Sequence, residues 1–282
     1  MRLALVCNPD SGRGADAEGT ASQLRAAGAE VAQIVKPGDL GSLFEDLDRV
    51  VAAGGDGTLG PCAQWCGAHD VPLAVVALGT ANDFARAYDL PREPEPAVRL
   101  AATGTTLRTL EMGRIDGQPF LNVVAAGLSP ASAARATPWK KRLGALAYPA
   151  GAFVAGLRTP PLACTVTVDG AELFSGDAWQ VMIAASGAFG AGAKVEPADP
   201  QDGLLDAVAV PAHSRRELPK LARAMRAHKI TSFEGAVHLR GRAVELRVPA
   251  GTALNVDGEL LEAGPVVRIA VEPAAFALVV PG

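Results

Sequence analysis

Several things are scarce in this sequence, and each shortage closes a class of function. There is no CxxC pair, and the four cysteines (Cys7, Cys62, Cys66, Cys164) and four histidines (His69, His213, His228, His238) are scattered, so zinc-finger spacing is absent. Cys62 and Cys66, four residues apart, read as two small buried side chains on one helix face. So little cysteine fits a reducing, cytoplasmic compartment. No apolar run reaches the roughly 20 residues that a bilayer-spanning helix needs. The uncharged run Leu143 to Leu157 is shorter than that and contains Pro149. The opening run Met1 to Cys7 is too short for a secretory signal and turns straight into Asn8-Pro9. Basic surplus is missing as well. With 26 Lys and Arg against 30 Asp and Glu, the 282 residues carry a net charge of −4, which argues against coating nucleic acid. No Gly-x4-Gly-Lys-Ser/Thr string occurs, so a Walker A loop is excluded. No GxGxxG follows the first strand signal, which argues against a hydride-transferring dinucleotide enzyme.

What remains is a globular balance, 49% apolar and 20% charged, with 31 glycines and 21 prolines spread without a period and therefore spent on turns. The first part alternates strand and helix signals. Strands are expected at Leu3–Cys7, Val31–Val35, Val50–Ala53 and Leu73–Leu78. Helices are expected up to about Ala27, over Leu43–Leu47, and from the glycine run at 54–57 to Cys66. Continuous apolar strands alternating with helices imply a parallel sheet covered on both faces, an α/β arrangement. The second part reads as mostly antiparallel sheet. Strand-like runs lie at Thr165–Val168, Ala243–Val248, Leu254–Val256, Val266–Val271 and Phe276–Val280, with Asp-Gly turns at Asp169-Gly170, Asp202-Gly203 and Asp257-Gly258. One helix interrupts it, opened by the capping-box string Ser214-Arg215-Arg216-Glu217. The boundary falls within about 108–130.

Chemistry concentrates in the loops that end the strands of the first part, where open α/β sheets bind ligands. The strongest is Gly54-Gly55-Asp56-Gly57-Thr58, between a strand and a helix. Its glycines permit close backbone approach and positive φ, the following helix offers free N–H groups to an anion, and Asp56 can serve a Mg²⁺. After the next strand, Leu78-Gly79-Thr80-Ala81-Asn82-Asp83-Phe84-Ala85-Arg86 supplies a hydroxyl, an amide and a carboxylate, or a helix cap by Asn82 or Asp83. The first strand ends in Asn8-Pro9-Asp10-Ser11-Gly12-Arg13-Gly14, polar and glycine-rich as a nucleotide phosphate or ribose would need. Far along the chain, Asn255-Val256-Asp257-Gly258-Glu259 reads equally as a hairpin turn or a site. The loop Gly187–Gly192, leading to Asp202-Gly203-Leu204-Leu205-Asp206, is ambiguous in the same way.

Taken in order, these five pieces resemble the catalytic family of diacylglycerol kinases, which includes bacterial soluble diacylglycerol kinases, related lipid kinases and sphingosine kinases. The resemblance spans nearly the whole chain. It implies an α/β nucleotide-binding domain over 1–120 and a β-rich lipid-substrate domain over 121–273. The last strand, about 274–282, would return to the first domain, and the active site would lie in the cleft. By match to the motifs, Asn8, Gly55, Gly57, Thr58, Thr80 and Glu259 belong to the nucleotide site. Asp56, Asp83 and Glu111 belong to a Mg²⁺-linked carboxylate network, and Asp257 is the general base, with Asp56 the other catalytic carboxylate. Three departures stand out. Leu59-Gly60-Pro61 replaces the family's Asn-Glu after the glycine loop, Glu111 stands where an Asp is usual, and the glycine loop at 187–192 lacks the family's Met.

Phosphoryl transfer needs positioning, a metal to neutralise charge and a base for the hydroxyl proton. The resemblance therefore implies an ATP- and Mg²⁺-dependent kinase acting on a diacylglycerol-like lipid alcohol. Two alternatives stand beside it. NAD kinase shares the glycine-loop aspartate but carries an Asn-Glu pair, and the four asparagines here precede Pro, Asp, Val and Val. A non-catalytic nucleotide sensor would not need Asp257. Apolar stretches such as Leu143–Leu157 could line an acyl pocket or form a buried helix. The helix from Ser214 carries Arg215, Arg216, Lys220, Arg223, Arg226 and Lys229 around an apolar stripe of Leu218, Leu221 and Met225, and a second basic cluster is Lys140-Lys141-Arg142. Both suggest peripheral contact with an anionic membrane surface, at its cytoplasmic face. Nucleic acid is not an expected partner, and homodimerisation stays open.

Overall fold

The computed structural model describes residues 1–9, 11, 16–131, 159–189, 193–196 and 198–282. The expectations placed on Leu143–Leu157, Lys140–Arg142 and Gly12–Gly14 lie outside these residues. The chain divides into two compact units, one of 1–112 and 272–282 with 190–192, the other of 113–189 and 193–271.

The first unit is α/β. Strand β1 (Arg2–Cys7) pairs in parallel with β2 (Glu30–Val35) on one side and β3 (Arg49–Gly54) on the other, and β3 pairs with β4 (Leu73–Ala77). Every residue of β3 and β4 is buried, because apolar side chains leave both faces of the sheet. Helix α1 (Ala17–Ala26) starts at Asp16, whose carboxylate accepts the Gly19 amide, and seats Ala21 and Leu24 on the sheet. Helices α2 (Asp56–Ala68), α3 (Asp83–Ala87) and α4 (Pro94–Thr103) complete the cover. The buried Arg49 guanidinium ties the sheet to the end of α4, donating to the carbonyls of Ala101 at 2.5 Å and Gly104 at 2.6 Å.

The helix expected over Leu43–Leu47 does not form. Leu43 and Leu47 are both buried, and their spacing of four imitates a helix face. Instead a 3₁₀ segment occupies Pro37–Ser42. Gln33 of β2 pins the chain at its end, accepting from the Phe44 amide at 2.7 Å and donating to the Ser42 carbonyl at 3.0 Å.

The second unit is antiparallel. Strand β5 (Leu107–Ile115) enters it and turns at Asp116-Gly117 into β6 (Gln118–Phe120), a turn of positive φ outside the expected set. Strands β7 (Val123–Gly127), β8 (Leu162–Val168) and β9 (Ala171–Ala184) follow, β9 pairing with both. The short pair β10 (Ala188–Phe189) and β11 (Ala193–Lys194) precedes β12 (Leu205–Pro211), which joins the other edge of β9. Helix α5 (Leu218–Arg226) leads to β13 (Val237–Gly241), β14 (Ala243–Arg247), β15 (Thr252–Val256) and β16 (Glu259–Ala263). Along β9, Val181 and Ile183 enter one core, while Met182 and Ala184 enter a second one that also holds Leu221 of α5. Both faces are covered, which explains an unbroken apolar run in an antiparallel strand.

Strand β17 (Val266–Val279) is one element where two strands are expected. Its first residues pair with β14, and Leu278 pairs in parallel with Leu73 of β4. Ser214 does not close a capping box. Its hydroxyl accepts the Arg216 amide at 3.2 Å and opens a 3₁₀ turn, Arg215–Glu217, that runs on into α5.

Candidate active site

Three strand-end loops of the first unit meet. The Asn8 side-chain amide reaches the Thr58 hydroxyl at 3.4 Å, and the Asn8 backbone amide donates to Ala53 at 3.1 Å. Thr58 is itself buried, and a Cβ on Gly54 would strike its side chain, so Gly54 is required by Thr58. The second contact is between glycines: a Cβ on Gly79 would stand 2.6 Å from the Gly55 Cα and 2.8 Å from the Asn82 side-chain oxygen. The glycines of the 54–57 run do not take positive φ, contrary to the expectation; Gly55 is extended at φ −93 and Asp56 and Gly57 already belong to α2. Close approach, rather than a left-handed turn, is what excludes side chains here.

Asp56 joins the second and third loops. Its carboxylate accepts the backbone amides of Asp83 at 3.1 Å and Phe84 at 2.9 Å, capping α3 from a different segment of the chain. Neither Asn82 nor Asp83 caps that helix with its own side chain; Asn82 sits at φ 51 in the left-handed region. Burial pushes the Asp56 carboxyl above its ordinary range, and these amide bonds partly oppose the rise. Asp83 and Glu111 are buried too, at 7% and 3% exposure, and Thr80 is exposed. Among the described residues no three His, Cys, Asp or Glu side chains converge as a metal cage. A Mg²⁺ brought in on nucleotide phosphates needs only one or two carboxylates. Asp56 fits that requirement by position, in the first turn of α2, whose free amides would face the same phosphates.

Pro61 lies inside α2 without ending it. It has no N–H to give to the Gly57 carbonyl. Beside the first loop, at the carboxyl ends of β1 and β2, lies a cleft of about 700 Å³ lined by Cys7, Pro9, Lys36, Asp39 and Ser42 among others. Lys36 and the 3₁₀ segment after it belong to no sequence motif. A lone lysine following a strand is a weak signal.

In the second unit Asp257 and Gly258 form the β15–β16 turn, both at positive φ. The Asp257 carboxylate is turned onto the backbone preceding β7, accepting the amides of Leu121 at 2.6 Å, Asn122 at 2.9 Å and Val123 at 2.9 Å. Oδ1 thereby braces two amides, while Oδ2 holds one and keeps a lone pair. Glu259, two residues on, opens β16 and is exposed. Asn122 continues the brace: it is buried, and its side-chain oxygen accepts the Ser186 hydroxyl at 2.8 Å, just before Gly187. Asp202 and Asp206 of the other ambiguous motif bind Arg240, and Asp206, wholly buried, also pairs with His238 at 2.6 Å.

Comparison with known proteins agrees with an α/β unit followed by an antiparallel β-rich one. Residues 2–115 match the diacylglycerol kinase catalytic domain, and residues 122–280 match the YegS C-terminal NAD kinase beta sandwich-like domain. A diacylglycerol kinase of Mycobacterium tuberculosis is 28% identical over 298 residues, covering 99% of this chain and 95% of that protein. A Pseudomonas putida protein called "Probable lipid kinase YegS-like" is 34% identical over 247 residues, covering 85% and 79% respectively. The crystal structure of a diacylglycerol kinase from Bacillus anthracis has the same fold, with a TM-score of 0.76 at 20% identity, covering 99% of this chain and 97% of that one.

Proposed function

The chain belongs to the family of diacylglycerol kinases and YegS-like lipid kinases, and on that premise we propose that it moves the γ-phosphoryl of ATP, with Mg²⁺, onto the hydroxyl of a diacylglycerol-like lipid. The observation that carries the nucleotide half is the meeting of three loops at the ends of parallel strands, beside a cleft whose volume is in the range of small-ligand sites. Asn8, Gly55, Gly57, Thr58 and Thr80 supply polar groups and bare backbone there. The N-terminus of α2 offers amides to phosphate. The lipid half rests on the names of the relatives.

Mg²⁺ carried on the phosphates would be held by Asp56 and would neutralise charge as the phosphoryl group leaves. Asp83 contributes its backbone amide, which fixes the Asp56 carboxylate, and Glu111 places a further buried carboxylate on β5. The acceptor oxygen forms its bond to γ-phosphorus as the bond to the bridging oxygen breaks, and ADP leaves. The hydroxyl proton then passes late to a carboxylate. Oδ2 of Asp257, which accepts a single backbone amide, keeps a lone pair for it, so we assign that proton to Asp257, whose Oδ1 meanwhile positions the turn by holding two amides.

The test is an assay with ATP labelled at the γ position against a panel of lipid alcohols and NAD. Label entering a diacylglycerol fraction in a Mg²⁺-dependent way supports the reading. Label on NAD, with none on any lipid, overturns it.

A further inference from the structure

We propose that helix α5 and the 3₁₀ turn before it form the surface by which this protein docks on an anionic bilayer. The proposal rests on the lipid-kinase reading for its purpose, since a substrate held in a bilayer has to be met there. It rests on independent observations for its place.

The helix has two unlike sides. Leu218, Leu221 and Met225 are seated in the core beneath it, together with Trp179 of β9. Arg216, Lys220 and Arg223 follow one another at spacings of four and three, which puts them on a single stripe of the helical segment, and all three are exposed. Arg226 and Lys229 extend the positive charge beyond this stripe, also exposed. Six arginines elsewhere, Arg2, Arg25, Arg99, Arg240, Arg247 and Arg268, each have a carboxylate within ion-pair distance. The side chains of these five cations have no ion-pair or hydrogen-bond partner among the described residues. The segment's one carboxylate is Glu217, on the opposite end from Arg226 and Lys229.

Its anchoring is also one-sided. Arg215 lies over the Trp179 ring at 5.3 Å and donates to the Thr159 carbonyl at 3.1 Å, so the turn is fastened to the unit while the stripe faces outward. In a chain of net charge −4, five exposed, unpaired cations on one short segment are a local excess that solubility does not require. Anionic lipid headgroups supply a plane of negative charge that such a stripe can meet at several points at once. Because the apolar side is spent on the core, docking is electrostatic and does not insert the helix.

The full chain is sedimented with vesicles of phosphatidylcholine alone or with phosphatidylglycerol added, at low and high salt. We expect binding only to the phosphatidylglycerol vesicles, lost at high salt because exposed charges are screened. The triple variant Arg216→Gln/Lys220→Gln/Arg223→Gln should bind at least about tenfold more weakly, as the contribution of each surface cation implies. Its circular dichroism and melting temperature, and its turnover of a water-soluble short-chain diacylglycerol, should match wild type. Equal binding to neutral and anionic vesicles, or wild-type binding by the triple variant, overturns the proposal. Wild type that docks as expected but phosphorylates no lipid leaves the surface standing and removes the kinase reading, so the two failures are distinguishable.

Discussion

Gly79 and Gly55 touch backbone to backbone, with no room for a β-carbon on Gly79 and only a tight 3.3 Å for one on Gly55. This contact sets the separation of two loops that the phosphoryl-transfer reading places on the nucleotide. Gly79→Ala forces the loops apart and should cost about 1–3 kcal/mol, the usual range for overpacking a close contact. Gly38→Ala, where a Cβ meets open space, is the control. Urea melts of both variants decide: equal midpoints would mean that the loops yield without cost.

Asp56 has two duties, and its variants should reveal both. In Asp56→Asn one of the two amides it now accepts loses its partner, since the new NH₂ group cannot accept. We expect a stability loss of about 1–3 kcal/mol and a fall in turnover of about a hundredfold or more, the scale of one lost electrostatic contact. A merely catalytic residue at a loop end would show the second effect without the first.

The same residue gives a pH signature. Its carboxyl is raised by burial, so between about pH 4 and its folded value the native state holds a proton that the unfolded state has lost. Stability from this group therefore declines as pH rises through that window. Wild type should lead Asp56→Asn by most at the acid end of the window, and the gap should narrow upward. A gap that widens with pH contradicts the assignment. Turnover, which needs the ionised form, should rise over the same window.

Asp257 and Glu259 can be told apart by a pair of measurements. Asp257→Asn leaves at least one of three backbone amides without its acceptor and should lower stability by about 1–3 kcal/mol. It should also cut turnover by about a hundredfold or more, while Glu259→Gln removes an exposed carboxylate and should leave melting within about 0.5 kcal/mol and turnover close to wild type. Full turnover in Asp257→Asn, with turnover lost in Glu259→Gln, would move the proton to Glu259.

The four thiols are expected to be silent until the protein unfolds. Cys7, Cys62, Cys66 and Cys164 are buried, and burial pushes the Cys62 thiol up to about 12 and Cys164 to about 11. Ellman's reagent should find no fast thiol in the native protein and four in denaturant. A fast native thiol would place one of these residues in an open site.

The loops are legible in the sequence because their chemistry needs rare residues in fixed order: Gly54-Gly55-Asp56-Gly57-Thr58 can be read without a fold. The brace that Asp56 makes to Asp83 and Phe84 is not legible, since it depends on which loops the sheet brings together. Asp257 shows the same limit. Its turn is written in Asp-Gly, but the three amides it holds lie more than 130 residues away in sequence. Leu43 and Leu47 mislead for a related reason: burial at a spacing of four suggests a helix, yet Gln33 fixes the neighbouring backbone in another form. Asp116-Gly117 is as plain a turn signal as its counterparts, but it lies in the stretch where a boundary between the two parts is expected.

Strand β17 bears on synthesis as well as on architecture. Phe276, Leu278 and Val279 are buried in the first unit, Val280 donates to Thr106, and Leu278 pairs with Leu73. A ribosome emitting this chain delivers β1 to β4 early, but the edge of β4 waits for residues that come some 200 positions later. Throughout that interval the nascent sheet presents an open parallel edge, the kind of edge that recruits a wrong strand. The first unit is thus begun before the second and completed after it, which makes the second unit's synthesis a prerequisite for the first to reach its native topology.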